Sequence, residues 1–384
     1  MQRVLVLGGG FAGLTIVNEL DSLAAAQKAE VTLVDRHDRY LMGLALEGIL
    51  AGTRKPSDGE RSYAALRPRH VRFVHDEVVS VDTREKAVHT RSHTLPYDHL
   101  VLAMGAEYEP ERIPGLAEAS YHLCDRAAVL QLKAAVERLD KGAVVVLVSS
   151  VPFKCPPAPY EYAFLIDSIL RRRAVREKVR VMLTTPEPQP VPAAGKAVGD
   201  AITAMLRERW IDYGPGRRPK AIDPRTRTIT YEDGTTETYD VLAAMWPHRA
   251  PQLLREAGLA DASGFVPANL GTFETAVPNV YAVGDAAALQ LPSGTPHPKA
   301  GVLAEAQGFA VAQVIASRLH VGPAVEYRGQ GICFIDDGQG RAAAMEIELM
   351  APGGPRASIK PPTKADLDAK ATFERERLEK WFRD

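Results

Sequence analysis

Arg3-Val-Leu-Val-Leu7, Gly8-Gly-Gly-Phe-Ala-Gly13 and Leu14-Thr-Ile-Val-Asn-Glu-Leu20 follow one another at the start of the chain, and they decide the fold. The first is an apolar run of strand length. The third places Leu14, Val17, Leu20 and Leu23 at helical spacing. Glu30-Val-Thr-Leu-Val-Asp35 is a second strand and ends in an acid. Strand, glycine turn, helix and strand in this order make a βαβ unit. Gly8, Gly10 and Gly13 form its G-x-G-x-x-G. The first glycine permits the tight turn, the second lets a pyrophosphate approach the backbone, and the third lets the helix pack close to the strand. The helix N-terminus offers unpaired N–H groups and positive potential to a phosphate. Asp35, 22 residues past Gly13, stands where an acid binds a ribose hydroxyl. A dinucleotide is the expected ligand.

Outward from this unit, strands are predicted at 71–74 and 78–82. Another is Leu100-Val-Leu-Ala103, ended by Met104-Gly105. A second α/β region begins near residue 112. It reads as helix 126–140, buried strand 143–148, helix 160–173 and strand 179–183. A proline-rich loop (186–192) and a hairpin over 228–239, turning on Asp233-Gly234, follow. Strand 240–245 is next. Asn279 to Asp285 is a strand ending in Gly-Asp, and helix 300–318 comes after it. Strands are expected within 327–350, a connecting loop over 351–363 and a terminal helix over 364–383. The fold class is α/β: two Rossmann-like dinucleotide-binding domains plus a C-terminal α+β segment. The expected division is 1–111 with 249–316 as the FAD-type domain, 112–248 as a scaffold shaped like an NAD domain, and 317–384 as a C-terminal domain.

Composition narrows the function. Over 384 residues, Lys plus Arg is 47 and Asp plus Glu is 48, so no global charge favours nucleic acid. The longest apolar runs fall far short of the ~20 residues of a membrane span. No signal peptide is visible after Met1. Cys124, Cys155 and Cys333 are too few for a disulfide framework. For any one of them, a small buried hydrophobe is the plain alternative. No metal-ligating set is apparent.

The glycine motif does not choose between NAD and FAD. Thr275-x-x-x-Asn279-Val280-Tyr281-Ala282-Val283-Gly284-Asp285 resembles the second flavin motif of two-dinucleotide-domain flavoproteins, whose aspartate holds the ribityl chain. Leu102-Ala103-Met104-Gly105 resembles their middle Ala-Thr-Gly motif, with Met in place of Thr. FAD is the cofactor this resemblance implies, although Asp285 alone also suits a helix N-cap. In relatives that use NAD(P)H, a second glycine motif follows a mid-chain strand. Here strand 143–148 runs into Ser149-Ser-Val-Pro-Phe-Lys-Cys-Pro-Pro157, which has no glycine and three prolines without N–H groups. That site is expected to be lost.

Pro152-Phe-Lys-Cys155-Pro-Pro-Ala-Pro-Tyr-Glu161 resembles the active-site stretch of sulfide:quinone oxidoreductases and of the flavoprotein of flavocytochrome c sulfide dehydrogenase. Pro247-His-Arg-Ala-Pro251 resembles their interdomain return. Pro296-His-Pro-Lys299-Ala300-Gly-Val302 and Ala304-Glu-Ala-Gln-Gly308 resemble their flavin-contacting helix start. Tyr327-x-Gly329-x-Gly331-x-Cys333-Phe334 resembles the segment with their second redox cysteine. The resemblance implies that Cys155 and Cys333 are a redox pair. Hydrosulfide would attack their disulfide, leaving a persulfide and a thiolate, and electrons would pass to the flavin. Lys154 and the start of the following helix are expected to lower the Cys155 pKa. Cys124 loosely matches a third cysteine near the flavin, and an active role and plain burial both stay open. Tyr40-Leu-Met-Gly43 has no cysteine, so the thioether link of flavocytochrome c cannot form there. Glu161 resembles an acid that takes protons from sulfide; a surface helix glutamate is the alternative. Lys299 is expected at the flavin N1–C2=O edge, raising its potential with the helix N-terminus. The implied cofactor-binding set is Gly8, Gly10, Phe11, Ala12, Gly13, Asp35, Arg36, Ala103, Gly105, Gly284, Asp285, Lys299 and Ala300.

The expected function is oxidation of sulfide to persulfide or polysulfide sulfur, with electrons passed through FAD to a quinone. Alternatives are a flavocytochrome c-type flavoprotein, an NADH-dependent persulfide or quinone reductase, and an inert FAD-binding protein. Sulfide and quinone are the implied partners, and self-association stays open. Leu367, Ala371, Leu378, Trp381 and Phe382 lie near one face of the terminal helix. They suggest a quinone-side or peripheral membrane surface, with closure of the C-terminal domain over the flavin as the alternative and a cytoplasmic location equally open. One departure stands: residues 186–197 lack the histidine that many quinone-using members carry after Glu-Pro.

Overall fold

The computed structural model describes residues 1–323 and 325–383. Its first sheet has five parallel strands in the order Val280–Ala282, His99–Leu102, Gln2–Leu7, Ala29–Asp35 and Arg72–His75. Gln2 opposes Ala29 and Val4 opposes His99. Strands buried on both faces need continuous apolar sequence, and Val4 to Leu7 are all buried. Helices Phe11–Ala25 and Gly301–Arg318 pack against each other. Gly308 makes that approach possible, since a Cβ there would fall 2.6 Å from the Ala12 carbonyl oxygen.

The second sheet is also parallel, in the order Tyr121–His122, Val241–Met245, Gly142–Val148, Val179–Thr184 and Asp212–Gly214. Asp125 caps the helix Arg126–Arg138 by accepting from the Ala128 N–H at 2.7 Å. The helix after the cysteine turn, Ala158–Arg172, is buried from Ala158 to Leu170. It lies between the second sheet and a third, antiparallel one.

That third sheet corrects one expectation. Residues 351–363 are not all loop: Arg356–Ile359 pairs antiparallel with Ala342–Glu348, which pairs with Gln330–Asp336. Prolines and glycines flank the short strand and hid it. Cys333 lies in the first of these strands, opposite Met345.

The terminal helix, Lys364–Trp381, brings a second correction. Leu378, Trp381 and Phe382 are buried in the core of the first sheet. Trp381 meets Phe11 and Tyr40 edge-on at 5.3 and 5.8 Å, and Phe382 stacks on Tyr40 at 5.7 Å. Of the apolar face read as a docking surface, Leu378, Trp381 and Phe382 are consumed by packing on the first sheet, while Leu367 is half-buried and Ala371 exposed. Among the described residues, no helix is long and apolar enough to cross a membrane.

Candidate active site

The glycine turn sits at the carboxyl end of the first sheet, where open α/β sheets bind ligands. A Cβ on Gly8 would fall 2.5 Å from the Ala103 carbonyl oxygen, and one on Gly13 would fall 1.9 Å from the Gly8 carbonyl oxygen. Those two glycines are demanded by packing. Gly10 differs: a Cβ there meets nothing within 4 Å, and the same is true of Gly105. No side chain caps the helix that begins at Phe11, and its first backbone bond is Leu14 N–H to the Gly10 carbonyl at 2.9 Å. Open space and unpaired N–H groups at a helix start fit a pyrophosphate. Asp35 accepts from the Gly9 N–H at 2.7 Å and the His37 N–H at 2.8 Å, so it holds the turn from the strand end. Arg36 is exposed beyond it. The Phe11 ring packs on Trp381, and Ala12 is buried with its backbone against Gly308.

The second flavin motif meets the cysteine turn directly. The Gly284 N–H donates to Gln307 Oε1 at 2.7 Å. Asp285 lies 3.7 Å from Lys154 Nζ. The Cys155 N–H donates to the Lys299 carbonyl at 2.7 Å, with Cys155 in the left-handed region at φ 54°. Lys299, just before Ala300 at the helix start, is buried, donates to the Ala287 carbonyl and lies over the Phe265 ring at 4.4 Å. Burial lowers its pKa to about 8, while Asp285 works against the fall. His248 is buried here with neither ring nitrogen hydrogen-bonded. Its pKa falls to about 4 through burial, so its ring is neutral near pH 7. Two orphaned nitrogens beside Asp285 and Lys299 are a second sign that a polar ligand completes this crevice.

The cysteine site lies below. All three cysteines are free thiols, and Cys155, Cys333 and Cys124 border the same buried cluster. Burial pushes the Cys155 thiol well up, and charges on Glu47, Cys333, Glu161 and Cys124 push it further. The expectation of a lowered pKa is overturned: Lys154 reaches Asp285 instead, and burial dominates. Burial, then Glu161, raises Cys333 to about 12. Cys124 is raised by burial and lies against the Tyr108 phenol. Glu161 is not a surface residue. It is 3% exposed and ion-paired with Lys370 of the terminal helix, and burial raises its pKa to about 8. Glu47 and Lys370, both buried here, escaped the sequence reading. Lys370 stands in a helix rich in charge and carries no signal of burial, whereas Glu47 is the sole charge in the apolar run Ala45–Ala51, and that was the signal available.

The chain matches two family models. Residues 2–147 match the pyridine nucleotide-disulphide oxidoreductases, and residues 129–245 match the central part of the flavoprotein chain of flavocytochrome c sulfide dehydrogenase. The mitochondrial sulfide:quinone oxidoreductase of Mus musculus is 24% identical, over 91% of this chain and 78% of its own. The sulfide-quinone reductase of Aquifex aeolicus is 26% identical, over 88% and 82%. The crystal structure of the Aquifex aeolicus sulfide:quinone oxidoreductase superimposes with a TM-score of 0.88 at 25% identity, covering 99% of this chain and 91% of that one. The chain is thus similar to sulfide:quinone oxidoreductases over most of its length. It is a two-dinucleotide-domain oxidoreductase, and its cofactor is FAD. A type II NADH:quinone oxidoreductase of Staphylococcus aureus also matches, at 23% identity over 82% of both chains.

The two kinds of glycine in the FAD turn separate by mutation. Gly10→Val is expected to fold with a normal melting temperature and to bind FAD at least about tenfold more weakly, ~1.4 kcal/mol, because its side chain fills the phosphate space. Gly13→Ala is expected to lower the melting temperature itself. Fluorescence titration of FAD and thermal melts check both. Unchanged FAD affinity in Gly10→Val would place the pyrophosphate elsewhere.

Proposed function

We propose that the chain oxidises sulfide at Cys155 and Cys333 and passes the electrons through FAD to a quinone. The observation that carries this reading is the turn at 149–157. At the position where NADH-using relatives hold a pyrophosphate, this turn has no glycine, and it presents Cys155 toward Cys333 while tying its backbone to Lys299. In the oxidised protein, hydrosulfide attacks one sulfur of a Cys155–Cys333 disulfide, that bond breaks, and a persulfide and a thiolate result. The buried carboxylates around Lys370 receive the protons. Lys154 and Lys299 balance charge beside Asp285. FAD, which the glycine turn, Asp35 and Asp285 would hold, would supply the two-electron acceptor.

A groove of about 1020 Å3 supports the quinone part. Val302, Phe309, Ile332 and Phe373 give it apolar walls, and the ion pair of Glu305 with Arg377, at 3.1 Å, lies at its polar side. The terminal helix thus serves the acceptor through Phe373 and Arg377, not through Leu378, Trp381 and Phe382. Because quinones partition into lipid, peripheral membrane association belongs to the proposal.

Anaerobic sulfide is expected to bleach the flavin rapidly, and NADH is expected to leave it oxidised. Fast bleaching by NADH alone would assign the chain to the NADH:quinone group instead. The match of 129–245 to the flavocytochrome c flavoprotein favours one second reading, a cytochrome acceptor. Turnover with decylubiquinone against cytochrome c separates the two.

A further inference from the structure

Glu47 lies on the short helix Ala45–Ala51, is 6% exposed, and leaves its Oε2 without a hydrogen-bond partner. That helix packs on Arg126–Arg138 and on the cysteine helix Ala158–Arg172. The charges facing Glu47 are Glu161 from the cysteine helix, Lys370 and Glu374 from the terminal helix, and Asp336 from the strand that carries Cys333. From Arg126–Arg138, Lys133 comes near only Gly52, at the far end of the short helix. Most of these acids are occupied. Glu374 holds Arg54 at 2.6 Å, Glu161 holds Lys370, and Asp336 accepts from the Gly338 N–H at 2.7 Å. Of these acids, Glu47 alone has a fully buried oxygen without a partner. Its charge is also felt by Cys155, Cys124 and Tyr162.

We propose that Glu47, rather than Glu161, is the base that takes the proton of hydrogen sulfide as it enters beside Cys155. The proposal rests on the sulfide reading above. In the step, the S–H bond breaks, an O–H bond forms at Oε2, the hydrosulfide anion remains, and no electrons change hands. Protonating Glu161 would cost its bond to Lys370 and leave a buried ammonium without its partner. Protonating Glu47 instead leaves the Glu161–Lys370 and Glu374–Arg54 pairs intact and removes one buried negative charge. Burial also raises the Glu47 pKa, which brings the base nearer to working pH.

The test uses the holoenzyme with Glu47→Gln, Glu47→Asp and Glu161→Gln. Alkylation of Cys155 by iodoacetamide, after reduction and read by peptide mass, needs neither sulfide nor turnover. Removing a nearby negative charge eases thiol ionisation, so Glu47→Gln is expected to move the alkylation profile to lower pH. In sulfide-dependent flavin reduction, Glu47→Gln is expected to slow the rate about a hundredfold and to erase its acid limb. Glu47→Asp should restore part of both, and Glu161→Gln should keep the limb while lowering the melting temperature. An unshifted alkylation profile in Glu47→Gln, or an acid limb lost only in Glu161→Gln, overturns the proposal. A wild-type protein that sulfide does not bleach overturns the sulfide reading and this proposal with it. A bleached wild type with an unaltered Glu47→Gln overturns this proposal alone.

Discussion

Cys155→Ser and Cys333→Ser are each expected to reduce sulfide-dependent flavin bleaching at least about a thousandfold, the scale on which loss of a nucleophile acts, while FAD stays bound. Serine has nearly the shape of cysteine but cannot form a disulfide or a persulfide. The residues proposed to hold FAD, Gly8 to Gly13, Asp35 and Asp285, keep their places without either sulfur. Both thiols are held above the ordinary cysteine range in this protein. A reduced pair is therefore a poor nucleophile near neutrality, and the disulfide is the form sulfide should attack. Stopped-flow absorbance under argon gives the rates, and the bound flavin spectrum gives the control. A variant that bleaches at close to the wild-type rate would remove that cysteine from the mechanism.

The second large effect is structural. Trp381→Ala is expected to cost about 3–5 kcal/mol, the usual range for truncating a fully buried aromatic. At ~1–1.5 °C per kcal/mol in a chain of 384 residues, the melting temperature should fall by roughly 5 °C. Trp381 is 0% exposed, and it meets Phe11 at the start of the dinucleotide helix. FAD retention should fall together with the melting temperature for that reason. Removing residues 364–384 should do more, because Lys370 leaves as well and Glu161 is left buried without its counter-ion. Differential scanning calorimetry checks both. If Trp381→Ala melted within a degree or two of the wild type, the helix would not be the clamp its burial indicates.

The first sheet was legible because three independent patterns coincide there: buried strands, a glycine turn and an acid at a strand end. Gly8, Gly13 and Asp35 fell where those patterns put them. The turn at 149–157 was legible through what it lacks. The terminal helix was legible as a helix but not in its orientation. Its apolar residues suit a membrane, a groove and a core equally well, and only the position of Phe11 and Tyr40 decides among them. Lys154 misled because adjacency to Cys155 says nothing about where a long side chain ends; Asp285 is its partner. Lys370 could not be read, since it stands among many charges, while Glu47, the one charge in Ala45–Ala51, left a trace but not the identity of its distant partners.

The clamp of Trp381 on Phe11 also bears on the order in which the molecule is made. The first sheet takes its edge strand from Val280–Ala282, and its first helix receives its aromatic cover from the terminal helix. While the ribosome is still working through the middle of the chain, His99–Leu102 presents an unpaired edge and Phe11 an uncovered ring. Exposed edges and apolar surface of this kind recruit the wrong neighbours. The nucleotide-binding half is thus begun first and finished last, and its vulnerable period spans nearly the whole of synthesis.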